Sequence, residues 1–408
     1  MLSAALLTLR RWPLWQCGIR PFFLAAGAAA VLLVAAWIAH LLLGLPLPAT
    51  GGSTVLWHGH EMLLGMVIAA VLGFALTAVP EFTATPAFRP EAVMRLALLW
   101  LLARLAVLLP GAAAGWAALL VQTLLAADFL RLVTPRLWGD ATRRHRGLWW
   151  SLLAVLAAAL LAEFELARDG DLRAALYLLL HTTMALIVVT LARVSMRVVN
   201  DALQARGEPA DFVARPPRRQ LAVSMIVLHA AAHWLLPHSA ATAWLALAAA
   251  AALLGLLADW HLGAVLTRRW VWMLYALPWL IAGGYAMQGL AGLGVPVAAS
   301  AGMHLQAVGA IGLAVFTVLN IAGRAHAGER RDERPWLPIA AALLITAALA
   351  RAAAGVWMAQ ALQWWALSAA LWISAFALWL CHATPTLLRA RRDGQWGCQG
   401  VASTDTEI

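Results

Sequence analysis

Apolar runs of about twenty residues recur along this chain from residue 22 to residue 383. Coiled at about 1.5 Å per residue, a run of that length matches the hydrocarbon core of a bilayer. Inside lipid, each backbone N–H and C=O must be satisfied within its own helix or within a closed barrel. The runs do not alternate polar with apolar residues as barrel strands do, so they read as α-helices. Twelve spans are expected, at 22–43, 58–80, 92–109, 112–133, 148–166, 172–198, 221–236, 241–260, 270–287, 303–321, 336–357 and 362–383. The fold class is therefore all-α, a polytopic transmembrane helical bundle. Its transmembrane domain covers 22–384, between an N-terminal segment 1–21 and a tail 385–408 that is expected to be disordered. Residues 2–9 are apolar but short and precede Arg10 and Arg11, which suits an interfacial helix and not a cleavable signal. Only 12% of residues are charged, against about 25% in soluble domains. Tryptophan, the ring favoured at the lipid–water boundary, outnumbers phenylalanine 22 to 10. A soluble enzyme, a nucleic-acid binder and a disordered regulator are excluded.

The net charge of +10 comes entirely from arginine; the chain has no lysine. With both termini placed in the cytoplasm, 24 of the 29 arginines fall in inner segments. Two, Arg168 and Arg173, fall outside, and Arg104, Arg193 and Arg351 lie within spans. That asymmetry is the positive-inside pattern. It sets the orientation, and it makes the positive charge a marker of the inner face, with no nucleic-acid partner implied. Cys17, Cys381 and Cys398 form no C-x-x-C pair, no disulfide framework and no zinc spacing.

The histidines run the other way. Eight of twelve fall in the outer half or at the outer rim: His40, His58, His60, His181, His229, His233, His238 and His304. Five segments thus bring imidazoles to one slab, where polar side chains face a bundle interior, a cavity or a partner. His229 and His233 are four apart and share a helix face, a spacing that offers two nitrogens to one metal. His58 and His60 are two apart, about 200° around a helix. They belong to different sites unless the turn at Gly59 is not yet helical. Glu61 is placed to support an imidazole or to pass protons. Arg104 needs an anionic partner, a carboxylate or a haem propionate. Two uses follow from the residues alone. One is a haem or copper site, since imidazole suits both metals. The other is a twelve-span secondary transporter with His and Glu as ion or proton relays. No repeat relates the two halves as such transporters require.

Several motifs carry a family resemblance. Trp57-His58-Gly59-His60-Glu61-Met62, running into Gly73-Phe74 and Thr77-Ala78-Val79-Pro80, resembles the signature of the NnrS family of membrane proteins. So do Arg20-Pro21-Phe22-Phe23 and the stretch from His304 through Val308-Gly309-Ala310-Ile311-Gly312-Leu313 to His326 and Gly328. After Val79-Pro80 the chain departs from the family pattern with Glu81-Phe82, on the inner side. The resemblance implies a bacterial inner-membrane protein that binds haem, of b type, and copper, and that acts in the response to nitric oxide during nitrosative stress or denitrification. It supports His58, His60 and His304 as metal ligands and Glu61 as a catalytic carboxylate. His229, His233 and His181, together with Arg104, are expected to bind the haem, with His229 or His233 as an axial ligand. A non-enzymatic sensor or metal chaperone is the third reading.

Overall fold

In a computed structural model, residues 11–109 and 113–398 are described, and they form a helical bundle with no β-strand. The helices are α1 (Ile19–Leu43), α2 (Thr54–Thr83), α3 (Pro90–Ala106), α4 (Ala113–Gly139), α5 (Arg146–Ala167) and α6 (Leu172–Gln204). They continue with α7 (Pro216–Leu235), α8 (Ala240–Gly255), α9 (Arg269–Gly292), α10 (Ala299–Ala325), α11 (Trp336–Ala353) and α12 (Ala361–Leu388). Ten are long and apolar enough to cross a membrane. The exceptions are α3, with 17 residues, and α7, whose first turn carries Pro216-Pro217-Arg218-Arg219. Each expected span thus has a helix, although the ends differ. Helix α2 begins at Thr54, four residues early, because the Ser53 hydroxyl accepts the Val55 N–H at 3.2 Å. Helix α1 stops at Gly44, whose φ of +71° is readily adopted only by glycine. The interfacial helix expected at 2–9 and the last part of the tail, 399–408, lie outside the described residues.

Helices adjacent in sequence pack against one another, and α12 returns to lie on α1, closing a ring. The most apolar window of α2 is 83% buried and that of α6 is 72%, against 33% for α1, α4 and α12. Helices α2 and α6 therefore form the interior, while the other three turn apolar sides outward, as a lipid-facing rim must. The closure is built by the Arg20-Pro21-Phe22-Phe23 motif. Arg20 is 1% exposed and donates from Nη1 to the carbonyls of Leu387 (3.0 Å) and Arg389 (2.5 Å) at the end of α12. A cation on the last carbonyls of a helix also complements its dipole. Phe22 and Phe23 press on Gly73 of α2, where a Cβ would come within 2.9 Å of both. Further along the same seam, Trp372 of α12 donates to the Ala30 carbonyl of α1 at 2.8 Å.

Two stretches depart from α-geometry. Residues Glu61–Val67 of α2 and Leu305–Ile311 of α10 are π-helical. Each begins within one turn of a candidate histidine. The π-turn adds a residue to the helical ring, and such insertions gather at functional sites.

The expectation about cysteine pairing is corrected. Cys17 and Cys398, 381 positions apart, are bonded as a disulfide with Cα atoms 4.7 Å apart. No local spacing announces a pair that only ring closure brings together. The tail is placed against the bundle as far as Cys398, with Arg391 buried.

At the α9–α10 crossing, a Cβ on Gly302 would sit 2.4 Å from the Gly284 carbonyl oxygen, a backbone atom that cannot turn aside. Gly302→Ala is expected to destabilise the solubilised protein by ~1–3 kcal/mol. Gly147→Ala, where nothing lies within 4 Å, should leave thermal unfolding unchanged. Equal unfolding temperatures for the two variants would contradict this account of the crossing.

Candidate functional site

The two histidines at the start of α2 diverge. Residues Thr54–His60 are helical, so His58 and His60 point to different places, the first of the two arrangements open to them. His60 is fully buried between carboxylates. Its Nδ1 lies 2.9 Å from Glu61 Oε1 and its Nε2 lies 3.2 Å from Glu163 Oε2. Arg104 of α3 completes the group, donating to Glu61 Oε1 at 2.9 Å and to Glu163 Oε1 at 3.1 Å. Carboxylates only accept, so both imidazole nitrogens donate and neither keeps a lone pair. Two positive and two negative groups then form a neutral quartet that joins α2, α3 and α5. Two expectations change here. His60 is held as an imidazolium and offers no lone pair to a metal. Arg104 engages carboxylates of the chain itself instead of a cofactor's. Glu61, expected as the catalytic carboxylate, sits at the corner shared by His60 and Arg104. Glu163 escaped the sequence reading, although a carboxylate inside the apolar run 148–166 is the same signal that marked Arg104.

His58 turns the other way, onto a cavity of about 390 Å³. Its ring stacks on Trp37 with centroids 4.7 Å apart and planes 15° apart. Its Nδ1 is buried without a hydrogen-bond partner. His304 of α10 lines the same cavity. It donates Nδ1–H to the Ser300 carbonyl at 2.7 Å, which leaves the lone pair on Nε2. Apolar and aromatic side chains dominate the rest of the lining, including Met62, Tyr177, Trp365 and Trp372. Arg351 and Arg173 also line it. Arg351 lies over the Trp365 ring at 5.3 Å and makes no ion pair with any described residue. The cavity falls within the range of about 300–1,000 Å³ that encloses cofactor-sized ligands.

Beside it lies a group of three histidines. His181 of α6 and His229 and His233 of α7 each offer a ring nitrogen, all within 4.8 Å of one another. The shared face of His229 and His233 is therefore realised, and α6 supplies the third imidazole. His181 Nδ1 pairs with the Tyr285 hydroxyl at 3.1 Å, and its Nε2 faces His233 Nδ1 at 3.1 Å. His229 Nδ1 donates to the Thr242 carbonyl at 3.2 Å. Its Nε2 is buried without a well-formed hydrogen bond, and the Gln288 side chain lies close by. In a His-based metal site the nitrogen away from the ion is tied to a carbonyl or a hydroxyl, which orients the lone pair. His181 and His229 already have that arrangement. Tyr177 links the two places: it lines the cavity, and its ring is 4.8 Å from that of His233.

The remaining marked residues are accounted for locally. His40 is satisfied by the Leu45 carbonyl (2.7 Å) and the Thr54 hydroxyl (3.3 Å). Arg193 reaches the arginine-rich end of the bundle, donating to the Arg144 carbonyl and to His145 and lying over Phe82.

Removing one member of the quartet strands a buried charge. Glu163→Ala and Arg104→Ala are each expected to cost ~3–5 kcal/mol. The double variant should lose less than the sum of the two by ~0.5–3 kcal/mol. Denaturation of the four proteins of this cycle measures the difference; simple additivity would mean the groups are not coupled.

The family model described as NnrS protein matches residues 13–391, nearly the whole chain. No curated protein matches the chain.

Proposed function

The chain belongs to the NnrS family, and on that premise we propose that it is a haem- and copper-binding protein of the bacterial inner membrane that acts in the nitric oxide response. The observation that carries this reading is the pairing of two kinds of site. One is an apolar cavity of about 390 Å³ holding His58, His304 and two arginines, and the other is a group of three imidazoles next to it. This division reverses the one expected from sequence, in which His229 or His233 served the haem.

In this reading His58 and His304 hold the haem, each with a ring nitrogen free of hydrogen bonds. Arg351 and Arg173 receive its carboxylates, which suits guanidinium groups that have no ion partner among the described residues. Trp37, Trp365 and Trp372 exclude water from the cavity. His181, His229 and His233 hold copper, with Tyr285 and Thr242 fixing the imidazoles from behind. Bound haem and copper would supply a position for a diatomic ligand and a second one-electron centre. Nitric oxide is apolar enough to arrive through the bilayer. The quartet keeps α2 in rotational register, so that His58 stays on the cavity while His60 is anchored.

The same reading has twelve spans with both termini in the cytoplasm, α3 and α7 crossing with the ten longer helices. The arginine distribution supports it. Reporter fusions after residue 408 and in the loop 168–171 are expected to report the inner and outer side respectively. A periplasmic C-terminus would overturn the orientation.

Dithionite-reduced spectra and metal analysis of the purified protein test the sites. His58→Ala and His304→Ala are expected to lose haem absorbance and keep copper. His181→Ala and His229→Ala should lose copper and keep haem. Addition of nitric oxide should shift the reduced spectrum of the unsubstituted protein. A preparation with neither haem absorbance nor stoichiometric copper would sink the proposal.

A further inference from the structure

At the arginine-rich end of the bundle, opposite the cavity, three soft or borderline donors converge that the haem–copper reading does not use. Cys17, just before α1, is 1% exposed; His326, just after α10, is 4% exposed; and Cys398, in the tail, is 9% exposed. Their ligating atoms lie within 4.8 Å of one another. His326 Nδ1 is 3.9 Å from Cys398 Sγ. The Thr77 hydroxyl is 3.6 Å from one sulfur and 3.7 Å from the other. Behind the imidazole, Nε2 faces Glu81 Oε2 at 3.4 Å. Arg391 holds the tail in place by donating to the carbonyls of His326 (3.2 Å) and Gly397 (3.4 Å).

We propose that Cys17, Cys398 and His326 form a cytoplasmic-face binding site for a thiophilic d¹⁰ cation, zinc(II) or copper(I), which fastens the C-terminal tail to the bundle. The placement rests on the inner-facing termini argued above. In a cytoplasmic compartment thiols stay reduced, so a lasting structural disulfide is the rarer fate of such a pair. Reduction of the Cys17–Cys398 bond by two equivalents of a cellular monothiol leaves two protein thiols and one external disulfide. Binding of the cation to both sulfurs then releases two protons.

Three features of the geometry suit the cation. With metal–sulfur bonds of about 2.3 Å and tetrahedral angles, the sulfurs stand about 3.8 Å apart and an imidazole nitrogen about 3.6 Å from each. The His326–Cys398 separation is already close to that. The needed opening falls between the loop residue Cys17 and the tail residue Cys398, neither of which is fixed by a helix. Glu81 accepts Nε2–H, as the carboxylate of a carboxylate–histidine–metal arrangement does, and Nδ1 takes the ion by giving up the proton it now donates to the Cys398 carbonyl at 3.2 Å. For zinc(II), two thiolates leave the buried site neutral. Cys398 lies beyond the matched region 13–391, so the family match does not by itself imply the site.

The test uses the full-length protein, purified, reduced with a monothiol and freed of metal. Zinc(II) and copper(I) are titrated separately, and bound metal is measured beyond that held in the outer half. One additional equivalent of at least one of the two ions is expected, with thiolate charge-transfer absorption on cobalt(II) substitution. Cys17→Ser or Cys398→Ser should remove that equivalent and that absorption, while His229→Ala should keep both. Glu81→Gln is expected to weaken binding ~10–100-fold. If the reduced protein takes up no more of either ion than Cys398→Ser does, the site is overturned. The reporter fusions test the orientation separately, so failure of one is distinguishable from failure of the other.

Discussion

The bundle depends on a charge balance that water cannot supply. Arg104 lies among apolar helices, where an unpaired guanidinium would be costly, and two carboxylates with an imidazole settle it into a neutral quartet. Because the four groups come from α2, α3 and α5, the balance is met only when those helices stand in one relative rotation. Pinning His60 inward sends His58 about 200° around the same helix, onto the cavity. The quartet therefore does not need to touch a ligand to decide where the candidate ligands are.

The candidate metal sites use the same economy of placement. His304 and His229 each tie one ring nitrogen to a backbone carbonyl, and His181 ties one to the Tyr285 hydroxyl. In each case the other ring nitrogen is aimed by a partner on a neighbouring turn or helix; that of His181 already faces His233 Nδ1. Tyr177 stands between cavity and triad, lining the first and packing its ring on His233 of the second. The π-helical turns in α2 and α10 adjust which side chains meet at the cavity.

Much of this was legible in the residues. The apolar runs gave each helix, because the bilayer thickness and the helical rise leave little freedom in length. The four-residue spacing of His229 and His233 placed them on one face, and the two-residue spacing of His58 and His60 separated them. What was hidden is what depends on how helices rotate against one another. Glu163 as the partner of Arg104 is such a case, since it joins α5 to α3 across an intervening helix. The π-turns are silent because Glu61–Val67 and Leu305–Ile311 have the composition of ordinary α-helix, and the extra residue in the turn leaves no mark in the sequence. The Cys17–Cys398 pair was invisible for the same reason, since it needs the ring to close first.

Ring closure also bears on the order of assembly. Arg20 is made well before its acceptors, the carbonyls of Leu387 and Arg389, which lie 367 and 369 positions further on. Until that later stretch is translated, α1 carries a guanidinium without its native partners, at a depth where it ends up 1% exposed. Helix α1 can therefore insert early but can take its final seat only after α12 arrives. A helix that enters the membrane before α12 thus waits for α12 to be locked.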